Sequence, residues 1–270
     1  MSDDDRIDPS ARFASNEIEV PGTPEEVWEA IATGPGHAAW IFPADIEPED
    51  GGAMVIRRHP YGEDVDATVT AWTPPERFEY DEPIGVDAKP LTTEILVQAK
   101  DGGHCVVRVV CGFRDHGEDW EDLVEGAGEG WRMSLTVLRA YLTHFAGQRA
   151  VQLDASAPLR VPEPERRQSS AVLFDVLGLS GLAAGEDFRT PAGTPALEGT
   201  VEHLDPGYVL LRVTQPYAAL YAISCFPMAD GAPLSANVMA RLYGTPSDVA
   251  RREQAIWRAW LADLSSIFEQ

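Results

Sequence analysis

The densest group of side chains that could do chemistry is the run RDHGEDWED at residues 114–122, where His116 stands among Asp115, Glu118 and Asp119. An imidazole flanked by carboxylates is a cation-binding composition. The same spacing suits a solvated loop, with Asp119 capping the helix that follows. The six histidines, at 37, 59, 104, 116, 144 and 203, show no metal-ligand spacing, and there is no H-E-x-x-H, G-x-S-x-G or phosphate loop. The expectation is no metal, no cofactor and no catalytic residue. The glycines of DVLGLSGLAAG fit no nucleotide fingerprint and read as a helix end.

Acid–base chemistry would need titratable groups turned inward among apolar neighbours. The inner faces expected from strand alternation offer almost none: Thr93, Ile95 and Val97 turn inward if Glu94 is to stay wet, and Val69 and Ala71 are apolar. Arg57 and Arg58 are the exception. Consecutive strand residues point to opposite faces, so one of them enters the concave side, unless the strand is an edge and both snorkel to water. Cys105 and Cys111, roughly 20 Å apart on one extended strand, cannot bond each other. With Cys225 they read as small buried hydrophobes.

The elements that must position these residues follow from periodicity. FASNEIEV reads as a first strand, and PGTPEEVWEAIA as a short helix with Thr23 as N-cap and Pro24 at its first position. GGAMVIRR, DATVTAW, RFEYDEP, LTTEILVQAK and HCVVRVVCGF follow as strands, separated by turn residues. In the last, Cys105, Val107, Val109, Cys111 and Phe113 share one face. A long helix closes the set, with Trp131, Leu135, Leu138, Leu142 and Phe145 on one side.

That helix opens with glycine at 126, 128 and 130, each of which costs a helix about 1 kcal/mol relative to alanine. If the helix starts near Asp119, Gly128 lies on the inward line and leaves a cavity under the sheet. The alternative is that residues 115–130 are loop and the helix begins at Gly130 or Trp131.

At 270 residues and 44% hydrophobic, the chain can bury a sizeable core. Its 44 acidic against 21 basic residues give a net charge of −23, which argues against nucleic acid and anionic membrane as partners. No run of 18 apolar residues occurs and the first residues, MSDDDRIDPS, are acidic, so the expected location is cytoplasmic. Residues 1–12 read as a disordered acidic tail and 13–149 as a first domain expected to fold alone. AVQLDASAPLRVPEP, residues 150–164, reads as a proline-rich linker, and 165–270 as a second α+β domain. Trp257, Leu261, Leu264 and Phe268 repeat Trp131, Leu135, Leu138 and Leu142 at an offset of 126, while Val201 and Pro206 repeat Val69 and Pro74 at 132. This reads as an internal duplication whose second copy lacks a clear first strand.

One short helix, an antiparallel run of strands and a long closing helix make an α+β layout. PGTPEEVWEAIATGPGHAAWI, GGAMVIR, DATVTAWTPPERFEY and GEGWRMSLTVLRAYL resemble the SRPBCC superfamily, also called START-like or helix-grip, in its branch of activator-of-heat-shock-90-ATPase-like proteins, over residues 13–147. The chain departs from that branch at AAWIF, where a basic, doubly aromatic run is common and only Trp40 stays in register. The resemblance implies a curved antiparallel sheet wrapped on the long helix; with the internal repeat behind it as a degenerate second copy, the expected function is to bind a small apolar molecule between helix and sheet. The lining expected is Trp40, Met54, Val69, Trp72, Phe78, Tyr80, Ile95, Val97, Cys111, Phe113, Gly128, Trp131 and Leu135. Two further classes stay open: a polyketide cyclase or dehydratase, and a chaperone co-factor or other module with a protein partner, a homodimer included.

Overall fold

Alternation sets the strands of the first half. In HCVVRVVCGF the apolar residues at 105, 107, 109, 111 and 113 are buried and Arg108 is exposed, as a sheet with one wet face requires. The computed structural model describes residues 12–84, 89–113, 121–159, 169–227 and 234–267, which fall into two units. The first unit runs to Arg58 and then from Glu63 to Gly147; the second takes His59–Gly62 and everything from Gln148. The acidic tail expected at the N-terminus lies outside the described residues up to position 11.

The first unit contains, in chain order, β1 (Arg12–Pro21), α1 (Pro24–Ala32), α2 (Gly34–His37), β2 (Ala44–Ile46), β3 (Ala53–Ile56), β4 (Val65–Thr73), β5 (Arg77–Ile84), β6 (Lys89–Lys100), β7 (His104–Phe113) and α3 (Glu121–His144). Its seven strands form one antiparallel sheet in the order β1-β7-β6-β5-β4-β3-β2. The start of α1 is fixed by a capping box, in which the Glu26 amide donates to Thr23 Oγ1 at 3.3 Å and the Thr23 amide donates to the Glu26 carboxylate at 2.8 Å. Helix α3 packs on β1 and β7, burying Leu135, Leu138 and Leu142, with Phe145 buried just past its end. This is the helix-grip layout.

Gly126, Gly128 and Gly130 lie inside α3, so the loop alternative for residues 121–130 does not hold. The cavity reading of Gly128 is also corrected. A Cβ there would stand 2.9 Å from Ala14 Cβ on β1, and Asn16 Nδ2 donates to the Gly128 carbonyl at 3.0 Å. Glycine occupies this position because helix and strand backbones approach closely, which leaves no room for a side chain. Gly126 and Gly130 have nothing within 4 Å of a built Cβ, and no contact in the structure explains them.

The second unit contains β8 (Ala150–Leu159), α4 (Ser169–Val176), β9 (Asp187–Arg189), β10 (Glu198–Leu204), β11 (Tyr208–Gln215), β12 (Ala219–Pro227), β13 (Leu234–Tyr243) and α5 (Ser247–Ile267), with the sheet order β8-β13-β12-β11-β10-β9. The linker reading of residues 150–159 is overturned. They form the edge strand β8, antiparallel to β13 over its whole length. Val151, Leu153, Ala155, Ala157 and Leu159 face the core on which α5 packs, and Pro158 is tolerated because an edge strand needs no donor on its free side. The first strand missing from the second copy is this one. Tyr61, in the four-residue piece His59–Gly62, donates its hydroxyl to the Val238 carbonyl at 2.5 Å.

Duplication is visible in detail at one bulge. In the first unit the Gly51 amide donates to the Val69 carbonyl at 2.8 Å and the Val69 amide to the Gly52 carbonyl at 2.9 Å, beside a register shift between Val69 and Ala71. In the second, the Gly185 amide donates to the Val201 carbonyl at 2.8 Å and the Val201 amide to the Glu186 carbonyl at 2.9 Å, beside a shift between Val201 and His203. Trp257, Leu261 and Leu264 of α5 are buried, as Leu135 and Leu138 are in α3, whereas Trp131, the counterpart of Trp257, is half-buried; Phe268 lies outside the described residues. No helix among the described residues is long and apolar enough to cross a membrane.

Candidate functional site

Strand β5 reads RFEYDEPI, and its period of two turns Phe78, Tyr80 and Glu82 to the same inner face. Phe78 and Tyr80 were expected there. Glu82 was not, although the alternation that places Tyr80 inward also dictates Glu82, and it is the inward acid that the sequence reading failed to find. Its carboxylate side chain is 3% exposed. Two residues beyond β3, Arg58 extends past β4 and its Nη2 pairs with Glu82 Oε2, while its neighbour Arg57 turns out to Asp45 and Asp64. Of the two alternatives for these arginines, Arg58 therefore takes the inward one.

Around this ion pair stand further polar groups from adjacent strands. Thr93 on β6 is buried, and its hydroxyl donates to Cys111 Sγ on β7 at 3.4 Å. Trp131, half-buried on α3, also hydrogen-bonds the Cys111 thiol. Tyr80 hydrogen-bonds Thr93 and feels the charges of both Glu82 and Arg58. Burial dominates the electrostatics: it pushes the Tyr80 phenol well above the ordinary tyrosine range, helped by the charge of Glu82. Burial likewise raises the Glu82 carboxyl, against the opposing pull of Arg58, and raises the Cys111 thiol. Cys111 is thus held as a neutral thiol, unsuited to nucleophilic attack.

Most of the expected lining residues are buried in the first unit. Met54, Val69, Ile95 and Leu135 are buried apolar walls. Phe113 packs with Cys111, Leu91 and Val124 in a small apolar group that Trp131 joins. Trp40 lies 6.5 Å from Trp131, its own indole N–H donated to the Ala30 carbonyl at 2.9 Å. Phe78 touches Tyr80 at 5.4 Å on one side, while on the other it joins Trp28 and Trp72 in an edge-to-face set that holds the half-buried Trp72 against α1. Val97 is buried on β6 next to Val107 of β7. Gly128 faces Ala14 instead of the cluster. Glu82, Arg58 and Thr93 are the additions.

The group around His116 lies outside the described residues. Among the described residues no three His, Cys, Asp or Glu side chains converge as metal ligands.

Residues 21–143 match the family described as activator of Hsp90 ATPase homolog 1-like protein. The resemblance read from residues 13–147 stands over that span. Comparison with curated proteins gives no match. Among similar solved structures is the di-domain ARO/CYC BexL from the BE-7585A biosynthetic pathway, at 12% identity, covering 96% of this chain and 99% of that one with a TM-score of 0.45. DynU16, from the dynemicin biosynthetic locus, is 16% identical over 95% of this chain and 98% of its own, TM-score 0.43. The Aha1 dimer from Colwellia psychrerythraea is 18% identical over 50% of this chain and 99% of its own, TM-score 0.43.

Proposed function

We propose that the first unit, whose residues 21–143 are of the activator-of-Hsp90-ATPase-homolog-1-like family, binds a small and mainly apolar molecule between α3 and the inner face of its sheet. The observation that carries this reading is the Arg58–Glu82 pair set among apolar walls. A buried ion pair costs desolvation that a hydrophobic replacement would avoid, so fold stability does not account for it. A few polar groups in a mainly apolar lining are the usual composition of a small-molecule site, the walls giving affinity and the polar groups orientation. Titration of the full-length protein with a neutral naphthalene fluorophore tests the reading. Saturable, stoichiometric binding with a blue-shifted emission is expected. A linear, non-saturating response, together with native protein that releases no small molecule on extraction, would overturn it.

A second reading, acid–base catalysis of a cyclisation or dehydration, is favoured by one observation: Glu82 is an acid raised by burial and within electrostatic reach of the Tyr80 phenol. A carboxyl raised by burial holds its proton more readily than an ordinary glutamate and so is better suited to deliver one. A chemical change in a bound polyketide-like substrate that Glu82→Gln abolishes without weakening binding would establish it; unchanged turnover in that variant would remove it.

A further inference from the structure

The Arg58–Glu82 pair leaves part of the guanidinium unanswered. Nη2 is taken by Glu82, but Nε is buried from water and has no hydrogen-bond partner among the described residues. A buried N–H on a charged group without an acceptor is costly, and native structures rarely leave one. The neighbouring side chains do not supply the acceptor: Trp131 offers only an indole N–H, and although Thr93 and Glu82 retain lone pairs, neither is placed to accept from Nε.

We infer that this N–H receives an uncharged carbonyl oxygen on an otherwise apolar ligand, an inference that rests on the binding reading above. The sign of the site makes the choice among acceptors. Glu82 already balances the charge of Arg58, so a carboxylate or phosphate would place a second anion against Glu82 in a low-dielectric interior, where repulsion between like charges is strong. A cationic ligand would meet Arg58. A ketone or amide oxygen takes the donated hydrogen bond without changing the net charge, and it carries no proton that would itself need an acceptor. The aromatic rings of Phe78, Tyr80, Trp40 and Trp131 suit a flat body behind that oxygen.

Three dimethylaminonaphthalenes, alike except for one substituent, test this on the full-length protein: one carries a propionyl group, one a propyl group, one a carboxylate. The wild type should bind the propionyl compound about tenfold or more tightly than either of the others, the value of one charge-assisted hydrogen bond. In Arg58→Lys, which keeps a cation for Glu82 but has no Nε, the ratio between propionyl and propyl should fall to about one. Should Arg58→Lys fail to fold, the double variant Arg58→Met with Glu82→Leu reads the same ratio with both charges gone. Equal affinity of the wild type for propionyl and propyl compounds, tightest binding of the carboxylate, or a ketone preference surviving in either folded variant would overturn the inference. Binding of none of the three would overturn the binding reading itself, and this inference with it.

Discussion

Arg58, two residues beyond β3, and Glu82 on β5 are separated by β4, yet their charged ends meet on the inner face of the sheet, with the Glu82 side chain 3% exposed and that of Arg58 30%. The pair is asymmetric: the acid is deeply buried and the base partly wet. The two residues should therefore respond differently to mutation.

Arg58→Met strands a buried carboxylate and should cost about 2–4 kcal/mol in urea denaturation, a figure that allows for the partial exposure of the arginine. Adding Glu82→Leu to Arg58→Met should recover most of that loss, because an apolar pair of similar volume needs no desolvation. A double variant no more stable than Arg58→Met would show that the pair itself holds the strands together.

The pH dependence of stability should carry the signature of Glu82. Its carboxyl is raised above 4.5, burial outweighing Arg58. A folded-state pKa above the unfolded value means that the unfolded state binds fewer protons, so this group's contribution is full below 4.5 and is lost as pH rises through the folded value. Glu82→Gln lacks the step. The stability of the wild type relative to Glu82→Gln should fall as pH rises from 4.5 through the raised folded value; a constant difference, or one that rises, would place the carboxyl in a better-compensated environment than the structure indicates.

The three glycines of α3 should separate cleanly. Gly126→Ala and Gly130→Ala add a methyl group into open space and should each stabilise the protein by about 1 kcal/mol through helix propensity. Gly128→Ala brings a Cβ to 2.9 Å from that of Ala14 and should lose this gain and destabilise instead. Equal stabilisation at all three positions in parallel denaturant melts would contradict the close crossing of α3 over β1.

Leu153→Ala tests whether residues 150–159 are a strand. In a proline-rich linker the change would be neutral, whereas in β8 Leu153 is fully buried in the core of the second unit and its truncation should cost about 3 kcal/mol. A melt indistinguishable from wild type would restore the linker.

How much of this was legible depends on which signal each residue carried. The capping box at Thr23, the inward face of β7 and the buried stripe of α3 were readable because each is a local pattern of fixed period. β8 was missed for a physical reason: two adjacent inward positions, Ala155 and Ala157, are small and weakly hydrophobic, and Pro158 suggested a break, although the alternation of Val151, Leu153, Ala155, Ala157 and Leu159 was present throughout. β2 and β9, each three residues long, have too short a run to show any period. Glu82 was deducible from Tyr80 two residues earlier, but a carboxylate is assigned by habit to the wet face.

The sequence by itself determined the longer helices and strands, their apolar faces, the duplicated layout and the family resemblance that residues 21–143 carry, because these follow from spacing along the chain. Only the tertiary structure decided which polar groups meet. That Arg58 finds Glu82 beyond an intervening strand, that Thr93 and Trp131 share the Cys111 thiol, and that Gly128 is small to admit β1 depend on strand register and on where the helix crosses the sheet. Those distances are set by side-chain packing among residues far apart in the chain, and no periodicity in a single sequence encodes them.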